Sequence, residues 1–132
     1  MDSRPVKDDL GDVGPAIAWA GEIVGQAGLS LDVRFAVDLG LEEALANLIM
    51  HGQGRSEGKD IVMSVAAGPG EAVVTITDRC APFDVTSAPA EKAPSGFDIG
   101  GRGLRLLRAF VSELTYRALG DRNELILTFK AA

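Results

Sequence analysis

Between Val13 and about residue 27 the apolar residues Ala16, Ile17, Ala20, Ile23 and Val24 recur at the spacing of one helix face. Asp12 stands where an N-cap belongs, Pro15 falls in a first turn that tolerates it, and Gly28 closes the segment. A second stripe, Val33, Ala36, Val37, Leu41, Ala44, Leu45 and Leu48, predicts a longer helix, capped by Ser30, running to His51 and stopped by Gly52 and Gly54. At Ile61 the period falls to two. The runs Ile61 to Ala67 and Glu71 to Asp78 flank Gly68-Pro69-Gly70 and predict a hairpin. On its second strand Ala72, Val74 and Ile76 share a face, and Asp78 continues it, because alternate residues of a strand point the same way.

Periodicity then lapses. Residues 80–100 contain Pro82, Pro89 and Pro94 and follow neither pattern, so they are expected to be a lid or a disordered loop. Helical spacing returns at Leu104, Leu107, Val111 and Leu114. Two alternating strands, 114–119 and 124–130, surround the turn Gly120-Asp121-Arg122-Asn123. Residues 1–11 are polar and are expected to be loose. The order predicts an α+β domain, a two-layer sandwich with three helices on one face of a mixed, mostly antiparallel sheet of four to five strands. The 132 residues read as one domain without repeats.

Composition narrows the partners. The net charge is −6 and no run of Lys or Arg occurs, so neither nucleic acid nor an anionic membrane is an expected partner. A single cysteine, Cys80, excludes an internal disulfide and fits a reducing compartment. The first dozen residues are acidic and polar, unlike a signal peptide, and no apolar run approaches the ~20 residues of a membrane span. The expected location is the cytoplasm.

Three groups of residues carry candidate chemistry. Glu43, Asn47 and His51 lie four apart and form a row along the edge of the second helix's apolar stripe. An Asn oxygen suits a hard cation such as Mg²⁺, and a carboxylate one turn earlier can take a proton from a nearby hydroxyl. Taken alone, the row is better read as a solvated flank. Asp78 ends an apolar face, where a carboxylate needs hydrogen-bond donors; the exocyclic amine of adenine is one. An Asp opening the turn before Pro82 is an equally good reading. Gly100-Gly101-Arg102-Gly103 opens a helix, and glycine-freed N–H groups at a helix start favour an anion, though a flexible loop end would look the same.

Together these segments gain meaning from their order. EEALANLIMHG resembles the Glu-x-x-x-Asn box of the GHKL ATPases, the superfamily of gyrase, histidine kinases and MutL. DRCAPFD resembles their Asp-x-Gly box, GGRGL their second glycine box, and NELILTF their last strand. The form is most similar to the small anti-sigma-factor serine kinases of the RsbW and SpoIIAB type. The resemblance implies the Bergerat, or histidine-kinase-like, ATPase fold. It implies Glu43 as catalytic base and Asn47 as ligand of Mg²⁺ on ATP. Asp78 would bind the adenine amino group, and nucleotide contacts would extend to Cys80, Phe83, Gly100, Gly101, Arg102, Gly103 and Leu104 under a lid over residues 84–100. It further implies phosphorylation of Ser or Thr on a STAS-domain anti-anti-sigma factor, sequestration of a sigma factor, and a homodimer. Cys80 departs from the family glycine, which motivates a second expectation: a module that binds nucleotide or partner with little or no kinase activity. A third is a scaffold of the same shape that binds no nucleotide. His51 is not expected to be a phosphorylated histidine, since it lies within the metal-site helix.

Overall fold

The structure is a computed structural model that describes residues 1–52, 54, 58–82 and 110–131. Five strands, β1 (Asp2–Val6), β2 (Ile61–Gly68), β3 (Glu71–Asp78), β4 (Glu113–Ala118) and β5 (Asn123–Lys130), form one sheet in the order β1-β2-β3-β5-β4. Two α-helices, α1 (Val13–Gln26) and α2 (Leu31–His51), pack against it. All four neighbouring strand pairs are antiparallel, where the sequence suggested a mixed, mostly antiparallel sheet.

The two hairpins hold the centre. Pro69-Gly70 joins β2 to β3, with Gly70 at φ +76°, the conformation a type II turn requires after proline. Register then places Val65 beside Val74 and Val74 beside Leu127, so apolar residues of three strands meet on one face. Onto that face α2 lays Val37, Leu41, Leu45 and Ile49, and α1 adds Ala16, Ala20 and Val24. Gly40 lets α2 approach closely, because a Cβ there would lie 2.9 Å from Cε1 of Phe129 on β5.

Several expectations change. The first residues pair instead of hanging loose: β1 joins β2 from Asp2↔Val65 to Val6↔Ile61, and a short 3-10 turn follows at Leu10–Asp12. Asp12 precedes α1 but its side chain caps nothing; its carboxylate takes Arg4 at 2.9 Å and 3.0 Å and the Lys7 N–H at 2.9 Å. Ser30 does cap α2, its hydroxyl accepting from the Val33 N–H at 3.3 Å. Two α-helices, not three, are present among the described residues; most of the expected third helix lies outside them. Its last two stripe residues are not helical: Val111 is irregular and Leu114 sits in β4 opposite Leu127. Sheet pairing overrides the helical spacing there, starting with the Ser112 N–H donating to the Thr128 carbonyl at 2.7 Å. Asn123, which the turn pattern claims and the resemblance of NELILTF to a last strand also claims, is the first residue of β5. No described helix is long and apolar enough to cross a membrane.

Candidate functional site

The last residue of β3 and the last turn of α2 come together at one end of the sheet. Asp78 continues the face of Val74 and Ile76, as its alternation predicts, and is only 8% exposed. Its Oδ1 accepts from the Cys80 N–H at 2.8 Å and from Nδ2 of Asn123 at 3.0 Å. Among the described residues no N–H donates to its Oδ2. A carboxylate offers about four acceptor positions, so Oδ2 can take a further donor.

Cys80 sits beside it, 2% exposed. Burial first, and then the adjacent Asp78 carboxylate, push its thiol up to about 12. The sulfur packs against the end of α2. A Cβ on Gly52 would lie 3.0 Å from Cys80 Sγ and 2.5 Å from the Leu48 carbonyl oxygen. Gly52 has φ −63° and needs no left-handed freedom. Gly52 is where α2 ends, as expected, and its missing side chain serves close approach there.

Lys59 ties the same region together. Its ammonium donates to the carbonyls of Leu48 at 3.3 Å and Ile49 at 2.7 Å, and pairs with Asp8 at 2.9 Å. A cation on the last carbonyls of a helix complements its dipole. The Lys59 backbone carbonyl accepts the Arg79 N–H at 2.7 Å, which links this clamp to the residue after Asp78. Arg79 itself reaches Asp60 at 3.4 Å, an ion pair without hydrogen-bond geometry at its buried Nε.

Glu43, Asn47 and His51 are all half-buried, as an edge row should be. Burial raises the Glu43 carboxyl above its usual range, and neighbouring Glu42 adds to the effect. Asn47 immediately precedes Leu48, the residue gripped by Lys59 and approached by Gly52. Among the described residues, no three His, Cys, Asp or Glu side chains gather as a metal cage. The oxygen donors that the sequence singled out on α2 are one amide and one carboxylate. The expected contacts Phe83, Gly100, Gly101, Arg102, Gly103 and Leu104, and the lid, lie outside the described residues.

The sequence reading overlooked three side chains: Asn123, Tyr116 and Lys59. The Tyr116 hydroxyl donates to Oδ1 of Asn123 at 2.7 Å, and Asn123 Nδ2 also donates to the Cys80 carbonyl at 2.8 Å. A signal for Asn123 exists. Residues 123, 125, 127 and 129 alternate onto one face, so Asn123 extends the apolar side of β5 as Asp78 extends that of β3. Lys59 lies before the second period begins and carries no such mark.

An antiparallel sheet backed by two helices, with a buried acid closing a strand beside a helix end, is the frame of an ATPase domain. The histidine kinase-like ATPase domain family matches residues 6–129, and the chain belongs to that family. It is 30% identical over 120 residues to the serine/threonine-protein kinase BtrW of Bordetella bronchiseptica, covering 89% of this chain and 84% of that protein. The fold is similar to the RsbU and RsbW domains of Rv1364c from Mycobacterium tuberculosis, with TM-score 0.68, 18% identity, and 98% of this chain covered. The chain spans 31% of that mycobacterial protein. A blue-light activated histidine kinase domain from Erythrobacter litoralis is similar at TM-score 0.59 and 14% identity, over 92% of this chain and 60% of that one. At these identities the solved structures share the fold alone.

Proposed function

We propose that the chain binds ATP with Mg²⁺ and acts in the cytoplasm as a serine/threonine protein kinase. Its substrate is a STAS-type anti-anti-sigma partner, and it holds a sigma factor as a homodimer, controlling transcription by partner switching. The observation that carries this reading is the Asp78 carboxylate: buried, held through Oδ1, and open at Oδ2 to a donor such as the adenine amino group. The kinase relative from Bordetella supports the reaction class. Amide and carboxylate oxygens on α2 suit a hard cation that keeps most of its ligands as phosphate oxygens and water. Asn47 would hold Mg²⁺, which supplies charge neutralisation on the phosphates. Glu43 takes the proton of the substrate hydroxyl as that oxygen bonds to the γ-phosphorus and ADP departs. Burial suits it to that role, since a carboxyl raised toward neutrality is the better base. Phe83 and the segment Gly100 to Leu104 complete the nucleotide contacts in this reading.

Calorimetric titration with Mg-ATP tests it. Asp78→Asn is expected to lose preference for ATP over other nucleotides, and Asn47→Ala to lose the dependence on Mg²⁺. Transfer of labelled phosphate to the cognate STAS protein is expected from wild type and to fall by roughly 10²–10⁴ in Glu43→Gln. Binding without transfer to any such partner would leave the second reading, a nucleotide- or partner-binding module. Cys80 in place of the family glycine is the observation that favours it.

A further inference from the structure

We infer that Asn123 and Tyr116 are positioning residues that orient the Asp78 carboxylate and thereby set the choice of purine. This rests on the nucleotide reading above and adds to it the groups that aim the acid. Asn123 faces Asp78 directly across β3 and β5, and Ala118 faces Asn123 across β4 and β5. Tyr116 is therefore the diagonal neighbour of Asn123, within reach of a long aromatic side chain.

The three residues form a directed chain of hydrogen bonds. The Tyr116 hydroxyl donates to Asn123 Oδ1 at 2.7 Å. Nδ2 of the same amide donates to the Asp78 Oδ1 at 3.0 Å and to the Cys80 carbonyl at 2.8 Å. Flipping the amide would aim its oxygen at two acceptors, so this orientation is the one the network selects. Both Nδ2 hydrogens are then used, and the Tyr116 proton holds the amide from behind. Asp78 receives two donors on one oxygen, from Asn123 and from the Cys80 N–H. Rotation of the carboxylate would break both bonds. Oδ2 is thereby presented as a fixed acceptor. A 6-amino group offers it a proton. A 6-oxo group offers a second acceptor, and a purine with hydrogen at position 6 offers neither. Selectivity of this kind needs a fixed partner, because a carboxylate free to turn can accommodate the wrong base.

The experiment compares the affinities of ATP, GTP and purine riboside triphosphate, which lacks the 6-amino group, for wild type, Tyr116→Phe and Asn123→Leu. Wild type is expected to favour ATP over the deaminated analogue on the order of 10- to 100-fold, the range of one hydrogen bond to a charged group. In both variants that ratio is expected to fall by about fivefold or more, with ATP losing most of the affinity. A purely structural role would weaken all three nucleotides together and leave the ratio intact; an unchanged ratio in Tyr116→Phe therefore overturns the inference. Tyr116→Phe removes one oxygen atom and carries the test should Asn123→Leu fail to fold. Absence of ATP binding by wild type would instead overturn the nucleotide reading itself, and this inference with it.

Discussion

Cys80 replaces a glycine in the motif that the sequence resembles, and the structure gives its thiol a packing role against the α2 end. Its sulfur lies where Gly52 leaves space, and burial with the Asp78 charge holds the proton on it, up to about 12. The thiolate is the reactive form, so the native protein is expected to resist alkylation by iodoacetamide at pH 8. Mass spectrometry should find label at Cys80 only when denaturant unfolds the chain; rapid labelling of the folded protein would contradict this packing. Residues of this kind differ in how far the sequence betrays them. Asp78 was visible because it continues a strict alternation. Asn123 follows the same rule on β5 but stands beside Gly120, Asp121 and Arg122, where alternation alone assigns it to the turn and only the resemblance of NELILTF to a last strand places it in β5. Asp12 shows the reverse error. Its type suits a cap, yet a guanidinium eight residues away in sequence competes better for its carboxylate.

That competition decides the fate of an element. Strand β1 has a polar sequence with Val6 as its one buried residue, so hydrophobic pattern could not reveal it. It is held by backbone pairing with β2, by Ser3 against Ser64 at 2.8 Å, and by the Arg4–Asp12 pair. The Arg4 hydrogen bonds, then the Lys7 N–H, lower the Asp12 carboxyl from 3.8 to about 2. A depressed acid contributes stability above its unfolded value and loses it as pH falls through the folded one. Asp12→Asn is therefore expected to cost about 1–3 kcal/mol at pH 7. The gap from wild type should narrow as pH drops from about 4 toward 2, read by urea unfolding at each pH; a gap independent of pH would exclude the charge as its origin. The helices were far more legible. The caps and stripe of α2 run from Ser30 to His51 as the apolar spacing implies. The stripe of the expected third helix was carried too far, because Val111 is irregular and Leu114 already belongs to the strand that the alternation over 114–119 predicts.

At the scale of the whole molecule, two layers and one sheet were readable from the order of elements, while the antiparallel pairing of every neighbour was not. Loop lengths alone do not specify how β1 or β5 joins the centre, since those contacts are made between distant residues. Of the candidate site, Asp78 at its strand end and the half-buried row Glu43, Asn47 and His51 on α2 were legible in the sequence. Its bracing was not, because Lys59 and Asn123 reach partners far away in sequence and Tyr116 acts on Asn123 across the last hairpin. Lys59 has the widest reach of the three. One ammonium joins the α2 terminus to Asp8 in the segment after β1, and the same residue's carbonyl holds Arg79. Lys59→Met is expected to speed amide deuterium uptake in residues 5–9 and 48–52 together, although those stretches are some forty positions apart. Faster uptake at one stretch with the other unaffected would show that they open independently. If they open together, a disturbance at the first strand, whether a fused tag or a docked protein, is transmitted to the end of α2 and the residue after Asp78 through a single residue.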